Sequence, residues 1–294
     1  MPRLSFHEEI EKNKRKSLFL TLVVFSFLIF TFYIISLFFD PAFRNVLIFF
    51  GVIVCLIYVK IGWDKGDEII LKSVDAKEAV GQKYAQLNNV VEELSLAAGI
   101  PKPKVYVIKS QEMNAFATGK DPNHSSIAIT TGLLEKLNRD ELSGVIGHEI
   151  AHITNYDIRF SMLVATLVGM VVILSDMFLR NLKYSTSNSK KYNGLLILIG
   201  LIFALVAPIA VRLVQLAISR KRELLADSTS AKLTRYPEGL ASALEKIMKN
   251  NKGNMNVSEA LSHLFFVDPK KSYVDSLFST HPPIEERIKI LRSM

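Results

Sequence analysis

An uncharged apolar stretch runs from Ser17 to Phe39, and it limits the folds open to this chain more than any other feature. At about 1.5 Å per residue, a helix of this length crosses a hydrocarbon core of about 30 Å. Helices inside soluble domains rarely lack a polar face over such a length. The stretch is also too long for the apolar core of a cleavable signal peptide, and no small-residue cleavage site follows it. We therefore expect a transmembrane helix.

Three further apolar runs occupy residues 46–59, 162–179 and 195–211. Only the segment Asp40–Arg44 separates the first stretch from the run at 46–59, which predicts a tight helical hairpin that returns the chain to its starting side. The two later runs contain Asp176 and Pro208, so helices buried in a soluble fold remain an alternative for them.

These runs divide the chain into four parts. They are an N-terminal transmembrane hairpin (1–62), the first part of a folded domain (63–160), a second transmembrane hairpin (161–218) and the second part of that domain (219–294). The folded parts are predicted to be mainly α with a small β-sheet. Helices are expected at 67–98, 220–233, 237–249 and 284–292, strands at 104–108 and 125–131, a short edge strand or loop at 114–119, and irregular chain at 250–280.

The chain carries a net charge of +8, and its basic residues cluster at the ends of the apolar runs. They are Lys12, Lys14, Arg15 and Lys16 before the first run, Lys60 and Lys65 after the second, and Arg220, Lys221 and Arg222 after the fourth. Such charges favour the cytoplasmic side of a membrane. The loop at 180–191 is also basic, so the first hairpin decides the expected orientation, with the folded domain in the cytoplasm. Because no basic stretch is interleaved with aromatic residues, no nucleic-acid partner is expected.

The sequence His148-Glu149-Ile150-Ala151-His152 places two imidazoles and a carboxylate on one face of a predicted helix. Residues four apart on a helix lie above each other, so both imidazoles can reach one metal ion. Glu149 faces the same site but is better placed as a base than as a third ligand. This arrangement suits zinc-dependent hydrolysis of peptide bonds. Cys55 is the only cysteine, so several thiolates cannot hold the ion.

The context of the motif also favours a helix. Asn138 and Asp140 are good N-terminal cap residues. Gly144 and Gly147 disfavour the helix by about 1 kcal/mol each relative to Ala. Since they have no side chain, they allow a ligand or another backbone to approach closely.

A catalytic zinc ion needs one more protein ligand than two histidines. Glu223 is the best candidate, and Asp227 lies four residues further along the same helix face. Asp227 can hydrogen-bond the far nitrogen of a ligating histidine and so select its tautomer. A charged, solvated helix face is the ordinary alternative for this pair. If Glu223 shares an ion with His148 and His152, the intervening chain must leave and return on the same side of the membrane.

The run from His148 to Asp157 closely resembles the HtpX-type membrane zinc metalloproteases, which are related to the CAAX prenyl endoproteases. Three more segments resemble motifs of this family: Arg222–Asp227 its third-ligand motif, Asn114–Gly119 its substrate segment, and Thr280–Pro283 with Glu286-Arg287 its C-terminal signature. The resemblance runs from about residue 67 to the end, and the leading hairpin also fits.

The resemblance implies a gluzincin-like zinc metalloprotease domain with one zinc ion per chain and a role for each motif residue. The residues concerned are His148, His152 and Glu223 as zinc ligands, Glu149 as general base, Asp157, Asp227 and Arg287 as residues that surround and orient the ligands, His281, together with Arg287, as a residue that helps to stabilise the transition state, and Asn114, Ala115, Phe116 and Ala117 as substrate-binding residues.

The resemblance also implies a bacterial inner-membrane protein that acts in membrane-protein quality control under stress. Its expected partners are the lipid bilayer and membrane-protein substrates, cut in cytoplasmic loops or tails. Three alternatives remain open: an intramembrane protease, a membrane-anchored scaffold with a structural zinc ion, and a prenyl-peptide endoprotease. The charges that flank the metal motif argue against cleavage at bilayer depth. The sequence leaves the oligomeric state and the physiological substrates open.

Overall fold

The computed structural model describes residues 6–37, 40–169, 220–269 and 282–294. Within these ranges the chain is mostly helical. The helices are α1 (Phe6–Ser36), α2 (Pro41–Ser73), α3 (Ala85–Ala98), α4 (Thr131–Lys136), α5 (Arg139–Thr154), α6 (Asp157–Leu163), α7 (Arg220–Thr234), α8 (Pro237–Asn250), α9 (Glu259–Ser262) and α10 (Ile284–Leu291). The strands are β1 (Lys77–Glu78), β2 (Lys104–Ile108), β3 (Ala115–Asp121) and β4 (His124–Thr130). The apolar run at 195–211 and most of the run at 162–179 lie outside the described residues.

Helices α1 and α2 form the predicted N-terminal hairpin. Asp40 caps α2 by accepting hydrogen bonds from the backbone N–H groups of Ala42 and Phe43. By length and composition, Asn13–Ile34 in α1 and Pro41–Ser73 in α2 can each cross a membrane. Large apolar side chains such as Phe19 and Phe49 project from both helices and are more than half exposed, at 67% and 63%. Exposed apolar surface of this kind is typical of helices that face lipid.

The prediction of one helix over residues 67–98 is wrong. Helix α2 continues to Ser73, and α3 begins only at Ala85. Between them, Asp75 and Gly81 adopt positive φ angles of 49° and 96°, which a helix does not allow. The strand β1 lies between these two turns and pairs antiparallel with β2. Pairing with a distant strand therefore overrides the local helical periodicity.

The four strands form one mixed sheet in the order β1-β2-β4-β3. Strands β2 and β4 are parallel, whereas β3 pairs antiparallel with β4 and lies at one edge of the sheet. Helix α5 packs against the sheet through an apolar stripe in which Ile146, Ile150 and Ile153 are fully buried. Burying each such side chain contributes about 1.5–3 kcal/mol, so α5 is held firmly in the core of the domain.

The glycines of α5 lie where two other helices cross it. A Cβ atom at Gly144 would lie 2.6 Å from the backbone nitrogen of Leu240 in α8. A Cβ atom at Gly147 would lie 2.8 Å from Oγ of Ser230 in α7, whose hydroxyl donates to the Gly144 carbonyl oxygen at 2.6 Å. At both glycines, therefore, the groups that approach the α5 backbone closely belong to neighbouring helices.

Replacing Gly144 with Ala is expected to lower the free energy of unfolding by about 1–3 kcal/mol, because the added methyl group forces α8 away from α5. Alanine favours an exposed helix by about 1 kcal/mol over glycine, so a loss of stability isolates the steric effect. Thermal unfolding of the purified protein in detergent measures the change. Ser143→Ala, one residue away, is the control and should change stability by less than about 0.5 kcal/mol. A Gly144→Ala variant as stable as the control would contradict the close packing.

The membrane hairpin packs on the chain that follows the metal-motif helix. A Cβ atom at Gly62 would lie 2.8 Å from the side chain of Leu167, and a Cβ atom at Gly66 would lie 3.0 Å from the side chain of Met162. The hydroxyl of Tyr58 donates to the Leu167 carbonyl oxygen at 2.6 Å, within the π-helical turn Val164–Val168 that continues α6. The motif helix, α6 and the membrane helices therefore form one packed unit.

Candidate metal centre

The two motif histidines come together because α5 is regular and well capped. Asn138 accepts from the backbone N–H of Glu141, and Glu141 accepts in return from the N–H of Asn138, which forms a capping box. One helical turn apart, the Nε2 atoms of His148 and His152 lie 3.1 Å from each other. Two imidazole nitrogens at this distance either share a proton or bind the same cation.

Glu223 of α7 faces the same point. Its Oε2 lies 3.6 Å from His148 Nε2, and its Oε1 lies 3.5 Å from His152 Nε2. One ligand atom from each of the three residues falls within 4.8 Å of the others. The structure thus brings together all three residues predicted to be metal ligands.

Each imidazole is oriented by a carboxylate at its other nitrogen. Asp227 Oδ1 lies 2.8 Å from Nδ1 of His148, and Asp157 Oδ2 lies 3.1 Å from Nδ1 of His152. A carboxylate accepts, so each Nδ1 carries a proton, and Nε2, which faces Glu223 in both rings, is the atom that can bind a metal ion. Asp157 and Asp227, which the family resemblance implies as residues that orient the ligands, therefore occupy these positions.

The donor set fits a divalent metal ion. Two imidazoles and one carboxylate with a fourth position open to a cleft are typical of catalytic zinc sites. Burial alone lowers the pKa of His152, but its bond to Asp157 and the charge of Glu223 raise that pKa to about 9. The carboxylates therefore create a negative potential at the His152 ring, which favours a bound cation.

Arg287 holds the carboxylate of Asp227 in place through two hydrogen bonds. Its side chain is fully buried, and it donates from Nε to Oδ2 at 2.8 Å and from Nη2 to Oδ1 at 2.7 Å. Burial alone raises the pKa of Asp227, but Arg287 and His148 have the larger, opposite effect. The net result is a pKa lowered to about 2. Phe266 covers this pair, with the guanidinium 4.7 Å from its ring centre and the His148 ring edge-on at 4.8 Å. The guanidinium of Arg287 therefore favours the ionised form of Asp227.

Glu149 lies beside the histidines and is only 2% exposed. Burial raises its pKa above the usual value for a glutamate, although both motif histidines act in the opposite direction. The backbone N–H of Ala117 also hydrogen-bonds its carboxylate. Glu149 lines the same cleft as the ligands, so its carboxylate can reach a water or a substrate bound there.

Several residues that line the cleft were not identified from the sequence as site residues. They are Ile158, Ser161, Arg222, His263, Leu264, Phe265 and Phe266. His263 donates from Nε2 to the carbonyl oxygen of Ser161 at 3.2 Å. The segment 263–266 lies in chain that was expected to be irregular, and no motif marks it. Arg222 could have been found, because it precedes Glu223 and donates to Asp157 at 3.1 Å.

The four residues predicted to bind substrate lie on or beside β3. Asn114 is buried, and its side chain donates to the Val267 carbonyl oxygen at 2.7 Å. The carbonyl oxygen of Ala115 accepts from the N–H of Phe266 at 2.8 Å, while the ring of Phe116 packs on Phe265 at 5.0 Å. Ala117 lines the cleft. His281, predicted to be catalytic, lies outside the described residues.

Comparisons with known proteins agree with this site. Residues 81–294 match the profile of a family described as peptidase family M48. A protein called Protease HtpX homolog from Dictyoglomus turgidum is 45% identical over 295 residues, which cover 100% of this chain and 96% of the relative. A second Protease HtpX homolog, from Caldanaerobacter subterraneus subsp. tengcongensis, is 44% identical over 301 residues, which cover 100% of this chain and 99% of the relative.

The fold also resembles a solved structure. The crystal structure of S. mikatae Ste24p aligns with a TM-score of 0.51 at 22% sequence identity, over 97% of this chain and 66% of that chain. The metal-binding constellation, the membrane helices and the full-length relatives agree with one another. The chain therefore belongs to peptidase family M48, as a membrane protease of the HtpX type.

Proposed function

We propose that this protein is a membrane-anchored, zinc-dependent endopeptidase with a gluzincin-like site. The proposal rests on one observation: ligand atoms of His148, His152 and Glu223 lie within 4.8 Å of one another in a cleft that Glu149 also lines. Zinc held by these three residues would polarise a peptide carbonyl and lower the pKa of a water molecule. Structural zinc sites normally use four protein ligands and would leave Glu149 without a role.

Glu149 is proposed to move the proton. Its carboxylate accepts a proton from the attacking water and returns it to the nitrogen of the departing amine. A general base works best when its pKa lies near the operating pH, and burial raises the pKa of Glu149 in that direction. His281 is proposed to stabilise the negative charge that develops on the carbonyl oxygen.

We propose that an extended substrate pairs with the outer edge of β3. Neighbouring residues of a strand direct their N–H and C=O groups to opposite sides, so Ala117 and Gly119 face the same side as Ala115. Phe266 occupies the Ala115 carbonyl oxygen, so the substrate is proposed to pair with the edge from the carbonyl oxygen of Ala117 onward. Backbone pairing of this kind depends little on side chains, so broad sequence specificity is expected.

The proposed substrates are membrane proteins, cut in cytoplasmic loops or tails as part of quality control. The basic residues at the start of α1 and the end of α2 lie at the same end of the hairpin as the metal centre, because Asn13 and Asp157 are in contact. Positive charge favours the cytoplasmic side, so this supports a catalytic domain in the cytoplasm of a multi-pass inner-membrane protein.

Chelation is expected to remove all proteolysis. Purified full-length protein in detergent should contain close to one zinc ion per chain, cleave casein, lose that activity in a chelator and regain it when zinc is returned. Metal analysis and a gel-based cleavage assay measure both properties. Bound zinc without cleavage of casein or of a membrane protein would favour the scaffold alternative, and cleavage unaffected by chelation would rule out the metal mechanism.

The proposed topology predicts where reporters become active. A reporter that works only outside the cytoplasm should be active when fused within residues 181–193 and inactive when fused after Met294. The two apolar runs at 162–179 and 195–211 would then form a second transmembrane hairpin. Equal reporter behaviour at both positions would contradict it.

A further inference from the structure

The first membrane helix contacts Asp157, the residue whose carboxylate orients His152. Asn13 lies at the start of the membrane-spanning part of α1 and is only 1% exposed. Its Nδ2 donates to Oδ1 of Asp157 at 2.8 Å and to the Asn155 carbonyl oxygen at 3.0 Å. Asn13 and Asp157 are 144 residues apart in the chain, so this bond joins the membrane anchor to the domain that holds the ligands.

The bond to Asn13 determines how Asp157 presents its carboxylate. Its Oδ1 accepts from Asn13 at 2.8 Å and from Arg222 at 3.1 Å, while its Oδ2 faces Nδ1 of His152 at 3.1 Å. Two donors on one oxygen hold the carboxylate plane, and the other oxygen then orients the imidazole. Asn13 is thus linked to a predicted metal ligand through a single side chain.

Packing alone does not explain an asparagine at this position. The buried face of α1 continues through the apolar Leu20, Val24 and Leu28, and its buried hydroxyls, those of Ser17, Thr31 and Ser36, are all hydrogen-bonded within the helix. Asn13 Oδ1 is buried and has no hydrogen-bond partner among the described residues. A buried polar atom without a partner is unfavourable, so an apolar residue would serve helix packing better. The two hydrogen bonds that Nδ2 donates, to Asp157 and to the Asn155 carbonyl oxygen, offset this cost.

We propose that Asn13 is a positioning residue of the metal centre, which acts through Asp157 on the orientation of His152. The first membrane helix is then part of the active site as well as an anchor. This inference rests on the proposed function only in requiring that His148, His152 and Glu223 hold a metal ion. Asn13 itself touches neither the ion nor the substrate.

The test is the zinc dissociation constant of the full-length protein in detergent, measured by competition with a chelator. Asn13→Ala and Asn13→Leu both remove the donor, but one shrinks and the other enlarges the side chain. Both are expected to weaken zinc binding by about 3- to 10-fold, less than the 10- to 100-fold typical for direct partners of a ligand. Ser17→Ala, one turn along the same buried face, is the control and should leave zinc affinity unchanged, since among the described residues the Ser17 hydroxyl donates to the Asn13 backbone carbonyl oxygen within α1.

A double-mutant cycle separates positioning from general packing. In an Asp157→Ala background, Asn13→Ala should change zinc affinity by less than about 2-fold, because the residue it acts through is gone. An equal effect of Asn13→Ala in both backgrounds, or none in the wild-type background, would overturn the inference. Either result leaves the proposed function intact if the wild-type protein binds zinc and cleaves casein. A wild-type protein that binds no zinc would overturn both.

Discussion

Replacing Glu149 with Gln is expected to reduce peptide cleavage by about 10²- to 10⁴-fold, the range that a general base contributes. The amide has nearly the same shape as the carboxylate but accepts no proton at neutral pH. Glu149 is not among the three residues whose atoms converge at the metal centre, so zinc content is expected to stay close to the wild-type value. The contrast between lost activity and retained metal is the specific expectation.

The measurement pairs casein cleavage with metal analysis on the same preparation. Glu135→Gln makes the same chemical change at an exposed position of α4 and is expected to leave both values unchanged. Retained cleavage in Glu149→Gln would remove Glu149 from the mechanism. Loss of zinc together with activity would show that Glu149 holds the ion, contrary to its proposed role.

Replacing Arg287 with Met is expected to lower the free energy of unfolding by about 3–5 kcal/mol. Arg287 is fully buried and donates two hydrogen bonds to Asp227, so its removal leaves a buried carboxylate without its main counter-charge. Asp227 also loses the group that chiefly lowers its pKa. Because Asp227 orients His148, weaker metal binding is expected to accompany the loss of stability.

Thermal unfolding in detergent and zinc competition measure these two effects. Arg292→Met removes an arginine five residues further on that pairs with Glu238 and Glu245, and its side chain is 43% exposed. Exposed pairs contribute about 0–1 kcal/mol, so this control is expected to be nearly neutral. Combining Arg287→Met with Asp227→Leu should cost less stability than the sum of the two single changes, since no buried charge is left unpaired. Equal stability of Arg287→Met and Arg292→Met would contradict the buried pair.

Much of the local structure was predictable. The capped helix at Asn138, the helix end at residue 98 and the strand Lys104–Ile108 follow from neighbouring residues, and the structure contains all three. The helix expected over 67–98 failed for a long-range reason, since β1 pairs with β2 across the intervening α3. Hydrophobic periodicity reflects the residues of one segment only, so it cannot show that pairing with a distant strand competes with a local helix.

The sequence alone determined which residues can hold a metal ion, because the spacing of His148 and His152 and of Glu223 and Asp227 becomes a shared face on any regular helix. It also predicted helices that can cross a membrane, because helices in soluble domains rarely lack a polar face over such a length. Tertiary structure decided how the centre is supported. Arg287 meets Asp227, and Asn13 meets Asp157, only because helices distant in sequence pack together, and such contacts depend on three-dimensional packing that no local pattern encodes.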